Sequence, residues 1–246
     1  FASSLSKFLL EQGDKEEAKK VMKQAFRIAS KITDDFWKSE AHVELSKILL
    51  EQGDKEDAKK VMKEALKVAA EITDFSDKSA AYGELSNFLS EKGDKEESKK
   101  VMREALRISS KITDDSRKSK AYAKLSSFLL KQEDKEESKK VLKETLRITS
   151  NITNLWDKYR SYFKLLKLLL EQGEKEEPKK VRKVVLQVAA EITDSSDKSK
   201  AYGELSNLLL EHGDKEESKK VMKEALRIAS KLSNANGYLY DKSNAH

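Results

Sequence analysis

Apolar residues recur along this chain in columns spaced 40 positions apart. Leu5, Leu45, Leu85, Leu125, Leu165 and Leu205 share one column; Leu9, Leu49, Leu89, Leu129, Leu169 and Leu209 share another. A third holds Val21, Val61, Val101, Val141, Val181 and Val221, and matching segments open at Glu11, Glu51, Glu91, Lys131, Glu171 and Glu211 without insertion or deletion. A fixed period of this size, written in helix-forming residues, is the signature of stacked helical hairpins.

Within one copy two helices fit. Ala81, Tyr82, Leu85, Phe88 and Leu89 fall at three- and four-residue spacing, which predicts a first helix from about Asp77 to Lys92, capped by Ser76. Gly93 supplies a left-handed turn, and Asp94, with Glu97 three residues on, opens a second helix in a capping-box arrangement. That helix carries Val101, Met102, Ala105, Leu106, Ile108 and Ile112 on one face and is expected to run about 20 residues, roughly 30 Å. Small residues stack as well. Ser6, Ser46, Ser86, Ser126 and Ser206, with Ala25, Ala65, Ala105 and Ala225, mark where the two helices of a hairpin approach closely.

Composition narrows the reading. Only 37% of residues are apolar against 38% charged, a balance suited to a body whose repeats each bury one seam. The net charge of +6 comes from 50 basic residues interleaved with 44 acidic ones, so no single-sign stripe of a polyanion binder is present. Absence of cysteine excludes disulfides and cysteine-ligated metals. No apolar run approaches the roughly 20 residues of a membrane span.

Tyr82, Leu85, Ser86, Leu89, Gly93, Ser98, Met102, Ala105 and Leu106 follow, in order and spacing, the pattern of tetratricopeptide repeats, and Ala18 makes the copy at Glu11 to Leu50 more similar still. The chain resembles that family over about Phe1 to Leu232, with a unit longer than the usual ~34 residues. The added residues fall after Ile108, where the family's helix-ending proline is absent, so the second helix is expected to continue through Ile112. HEAT and armadillo units have a similar length, but their kinking proline and third helix are missing. The resemblance implies an all-α, right-handed α-solenoid of about six helix-turn-helix repeats. Units start near residues 11, 51, 91, 131, 171 and 211, after a partial first helix over 1–10, and residues 233–246 form an inter-repeat or tail segment. Phe1 begins part-way into a helix and DKSNAH echoes a helix start, which reads as a fragment of a longer array.

The fourth and fifth copies deviate most. Glu133 replaces the turn glycine, Thr145 and Val185 the small alanine, and Leu166 the small serine. Phe163 enlarges its column, Arg182 stands where other copies have Met or Leu, and Pro178 enters the first turns of a helix, where losing an amide costs least. Phe36 and Trp156 share a loop column, beside Trp37, and read as braces between neighbouring hairpins.

Catalytic chemistry is not written here. His42, His212 and His246 are scattered, and no HExxH pair, phosphate-loop glycine cluster or nucleophile elbow occurs. The expectation is a non-enzyme without cofactor or metal that acts as a protein–protein interaction scaffold. In the family, first helices line a concave groove. By resemblance the groove columns here hold Glu40, Ala80, Lys120, Arg160 and Lys200; then Glu44, Glu84, Lys124, Lys164 and Glu204; then Lys7, Lys47, Asn87, Ser127, Lys167 and Asn207. Candidate partner-binding residues are therefore Asn87, Lys120, Lys124, Arg160, Lys164, Lys167, Lys200 and Asn207, and the expected partner is a protein or peptide segment of acidic character. Asn87, Lys120 and Lys124 match part of the family's carboxylate clamp, but Gly83 stands where its lysine belongs. The alternatives are a structural array that contacts partners, including copies of itself end to end, through its ends or convex face, and a helical repeat that binds RNA.

Overall fold

The computed structural model describes residues 8–9, 12–171 and 176–243, with side chains described to residue 231 except residue 15. Among the described residues the chain forms eleven α-helices and no strand: α1 Lys15–Ala29, α2 Asp35–Glu51, α3 Lys55–Glu71, α4 Phe75–Glu91, α5 Lys95–Ser110, α6 Asp115–Lys131, α7 Lys135–Asn151, α8 Leu155–Glu171, α9 Glu176–Glu191, α10 Ser195–Glu211 and α11 Lys215–Ser243. Even-numbered helices from α2 pair with the helix that follows, giving repeated antiparallel hairpins.

Ten of the eleven helix starts share a local cause. An Asp or Asn stands at 20-residue intervals, at Asp14, Asp34, Asp54, Asp74, Asp94, Asp114, Asp134, Asn154, Asp194 and Asp214, with Glu174 in the remaining place. The Asp or Asn side chain accepts a hydrogen bond from the backbone N–H three residues on, at 2.7–3.3 Å. Such a cap contributes about 1 kcal/mol. Asp74, not Ser76, therefore starts the first helix of the second copy, and α4 begins at Phe75. The second helix is also shorter than expected. α5 has 16 residues and stops at Ser110, because the next Asp cap, Asp114, must leave helical geometry; Ile112 lies beyond the helix yet is buried.

Within a hairpin the turn is closed by a residue in the left-handed region. Gly13, Gly53, Gly93 and Gly213 have φ of +83 to +84°, and Asp14, Asp54, Asp94 and Asp214 donate their N–H back to Leu9, Leu49, Leu89 and Leu209. Glu133 takes the same role with φ of +63°. Residues 172–175, where another turn was expected, lie outside the described residues, as do 1–7 and 244–246. At the other end α11 continues to Ser243, through most of the segment set apart at 233–246.

The chain divides into two compact units. One comprises the chain to Thr113 plus Lys124–Ser138; the other comprises Asp114–Ala123 plus the chain from Lys139. The first is cored by Met22, Leu45, Ile48, Leu49 and Val61, continuing into Met62, Ala65, Leu85, Phe88 and Val101. In the second, Tyr159, Leu165, Leu166, Leu169, Val185, Leu205 and Val221 form one core.

Two polar clasps close each regular hairpin. The first joins serines 12 residues apart: Ser86 Oγ donates to the Ser98 carbonyl at 2.8 Å, and Ser98 Oγ returns a bond to the Ser86 carbonyl at 2.8 Å. Ser126 with Ser138 and Ser206 with Ser218 repeat it, and Ser46 donates to Ala58. The second clasp runs from Ser39 to the Ala65 carbonyl, from Ser79 to Ala105 and from Ser199 to Ala225. Small side chains at these positions let the helices close and give the hydroxyls reach. In α8–α9 both clasps are gone, since Leu166 faces the Pro178 position and Tyr159 stands in the serine column.

Candidate functional site

In the first unit the groove columns are electrically balanced. Lys124 Nζ pairs with Glu84 Oε1 at 2.6 Å, one period back in the chain, and lies 5.7 Å from the Phe128 ring centre. Burial, reinforced by Glu84 and opposed by Lys124, raises the Glu40 carboxyl above its ordinary range. Lys47 pairs with Glu44, and Asn87 donates to Glu91 at 2.7 Å. The place of the family's clamp lysine is closed: a Cβ on Gly83 would stand 2.6 Å from Leu125 Cδ2 and 3.1 Å from the Phe128 ring. A side chain there would press on the buried Leu125 methyl and Phe128 ring, so the partial clamp at Asn87 is not completed from Gly83.

The second unit differs. Its part of α6 supplies Ser119, Lys120 and Ala123; α8 supplies Arg160, Ser161, Phe163 and Lys164; α10 supplies Glu204; together they line a cavity of about 350 Å³. Three cations face a single carboxylate. Arg160 and Lys164 are one turn apart on α8, and Lys120 sits one period before Arg160, so the column spacing itself converges them. Ser161 is buried, and its hydroxyl has no hydrogen-bond partner among the described residues. An unmatched buried hydroxyl carries a desolvation cost of about 1–3 kcal/mol, which a polar ligand group relieves.

Behind this cavity lies a feature the sequence reading did not single out. Tyr159 is fully buried and stacks between Trp156, 5.4 Å away, and Phe163, 5.7 Å away. Its hydroxyl donates to the Ala201 carbonyl at 2.7 Å and meets Glu204 Oε2 at 3.4 Å, tying α8 to α10. Burial, followed by the Glu204 charge, pushes the phenol far above its ordinary range. Lys200 covers the Trp156 ring at 5.5 Å, so Trp156 packs within the unit. The break in the serine column (Ser39, Ser79, Ser119, then Tyr159) was the available signal.

Of the eight candidates, the structure brings Lys120, Arg160 and Lys164 into one cavity. Lys167 and Asn207 are exposed outside its lining, Lys200 is spent on Trp156, and Asn87 and Lys124 belong to the balanced face of the other unit. Among the described residues no group of His, Cys, Asp or Glu is arranged to hold a metal, and no helix is long and apolar enough to cross a membrane.

The tetratricopeptide repeat model matches residues 3–32, 39–72, 79–112, 119–152 and 199–232, leaving out the α8–α9 hairpin. Among solved structures, Ton1535 from Thermococcus onnurineus NA1 is 14% identical with a TM-score of 0.58, covering all of this chain; the chain spans 66% of that protein's length. BtubC (BKLC) from P. vanneervenii is 17% identical (TM-score 0.46; 86% of this chain, 88% of that one). The PH0952 signal transduction ATPase with a tetratricopeptide repeat sensor, from Pyrococcus horikoshii, is 20% identical (TM-score 0.45; 95% and 36%). Ton1535 bears out the α-solenoid fold and nothing finer. Comparison with curated proteins finds no match.

Proposed function

The chain belongs to the tetratricopeptide repeat family, whose arrays generally mediate protein–protein interaction, and we propose that it is a non-catalytic scaffold holding an acidic peptide segment against the first helices of its second unit. The observation that carries this reading is the cavity between α6, α8 and α10. Lys120, Arg160 and Lys164 line it beside the buried Ser161 hydroxyl, which has no partner among the described residues, with Glu204 the one carboxylate among the described lining residues. Cations grouped in a recess bounded by low-dielectric walls raise the local potential and attract carboxylates. Arg160 supplies a fork that matches a carboxylate in two bonds, Lys120 and Lys164 add point charges, and Ser161 can donate one hydrogen bond. Phe163 and Ala123 give the recess an apolar floor.

The test is fluorescence anisotropy with a labelled glutamate-rich peptide at low and high salt. Reversing Lys120, Arg160 and Lys164 together to glutamate is expected to lower affinity at least tenfold at low ionic strength, with salt weakening the original chain's binding. Affinity unchanged by the triple reversal would discard the site.

A further inference from the structure

A second groove lies in the first unit, between the second helices α1 and α3 rather than on the first-helix face, with a volume of about 530 Å³. Its floor is apolar: Met22, Phe26, Leu45, Leu49 and Val61. Lys19, Lys23 and Arg27, at four-residue spacing, form one wall on α1. The stripe spans nine residues of helix, eight rises of about 1.5 Å or about 12 Å, roughly two turns of a docked helix.

The acids opposite are already engaged. Asp54 caps α3, Asp57 pairs with Lys60 at 2.9 Å, and Glu64 pairs with Lys67 at 3.2 Å. Lys60 dominates in holding the Asp57 carboxyl below its ordinary range, and Lys23 and Lys19 add smaller contributions across the groove. Lys19, Lys23 and Arg27 themselves make no ion pair among the described residues.

The reason is one substitution in the repeat. In α5, α7 and α11 the matching arginine is held in two bonds by a glutamate three residues earlier: Arg107 by Glu104, Arg147 by Glu144 and Arg227 by Glu224. Before Arg27 that position is Gln24. The related groove beside α5 measures about 260 Å³. The one beside α9 is about 190 Å³, where Arg182 reaches across to Asp214 at 2.5 Å. The groove beside α1 is thus larger than either, and its arginine is not internally neutralised.

We propose that the groove between α1 and α3 docks an acidic amphipathic peptide segment, its apolar side chains on the floor and its carboxylates on Lys19, Lys23 and Arg27. The size falls within the range of pockets that bind discrete ligands. The charge arrangement asks for one acidic edge beside one apolar face, which is the helix-in-groove mode of recognition.

The probe is a labelled leucine–glutamate peptide with helical spacing, alongside its leucine–glutamine counterpart, titrated into the full chain. Gln24→Glu restores the clamp present in three other second helices, so it is expected to fold at least as stably by circular dichroism. It is expected to weaken binding about tenfold, as the loss of one charge-assisted contact implies, and Arg27→Gln is expected to do the same. In a protein that already carries the triple reversal at Lys120, Arg160 and Lys164, Gln24→Glu and Arg27→Gln should weaken this peptide by the same factor, which separates the two sites. Three results would overturn the proposal: affinity insensitive to Gln24→Glu and Arg27→Gln, equal binding of the glutamine peptide, or self-association by light scattering that Arg27→Gln abolishes, which would make a second copy the occupant.

Discussion

Gly83 and Gly203 occupy the same position of their first helices, three periods apart, and the structure sets opposite consequences for giving each a methyl group. Both lie inside helices, where alanine is intrinsically favoured over glycine by about 0.8–1 kcal/mol. Around Gly203 nothing described lies within 4 Å of the new Cβ, so Gly203→Ala should realise that gain, about 0.5–1 kcal/mol. At Gly83 the Cβ would sit 2.6 Å from Leu125 Cδ2, and Leu125 and Phe128 are both buried and unable to retreat into solvent. Overpacking of this kind costs about 1–3 kcal/mol, leaving Gly83→Ala neutral to about 2 kcal/mol destabilised. Urea unfolding followed by far-ultraviolet circular dichroism gives the midpoints. Amide exchange in α4 and α10 localises the effect, which matters in an array whose repeats need not unfold together. A Gly83→Ala protein stabilised as much as Gly203→Ala would refute the close approach of α4 to α6, and with it the explanation for the missing clamp lysine.

Other predictions follow from single side chains. His42 is 1% exposed, stacks on Phe26 at 5.2 Å and has no hydrogen-bond partner at either ring nitrogen among the described residues. Burial lowers its pKa below the ordinary 6.5, with Glu64 opposing and Lys38 assisting. Because the neutral form is favoured in the fold, its stability is complete above about pH 6.5 and falls as the pH drops below it. Urea midpoints between pH 7 and pH 5 should therefore decline, and His42→Tyr, the residue of the other copies, should flatten the profile. Glu133→Gly relieves a left-handed backbone at φ +63° and should raise stability by about 0.5–1 kcal/mol in the same unfolding assay. Tyr159→Phe removes the bond to Ala201 and should cost about 1–2 kcal/mol, with amide protection lost first in α8 and α10. Ser86→Ala and Ser98→Ala should each cost about 1–2 kcal/mol, and a double-mutant cycle should show at least about 0.5 kcal/mol of coupling.

Much of the fold is legible before any coordinates, because a helical hairpin that hides one apolar seam must write that seam at regular spacing. The Leu and Val columns place every described helix pair. Helix boundaries were less visible: Ser76 competes with Asp74 as a cap, and only the 20-residue recurrence of Asp and Asn decides between them. Serine reads as a small residue, so the hydrogen bonds that Ser86 makes across a hairpin were foreseen as close approach and not as a clasp, and the Ser79 column was not read at all. The charge of Lys124 looked available because its partner, Glu84, is distant in the chain, although both stand in one column. Which cations share a recess depends on the spacing between helices. Phe163, Tyr159 and Ala123 pack in the core of the second unit, and the sequence marks only the Tyr159 break in the serine column.

The hairpin without serine clasps has a consequence for how the chain assembles. Successive copies are so alike that a first helix carrying Ser86 would find the same carbonyls and hydroxyls on α7 or α11 as on α5, and look-alike neighbours are the usual source of misassembly in tandem chains. Leu166 and Pro178 fit each other and no other position in the series. Placed against a serine partner, Leu166 would bury a hydroxyl with nothing to bond. One odd pair, in the fourth of the five described hairpins, therefore sets that hairpin apart from its look-alike neighbours.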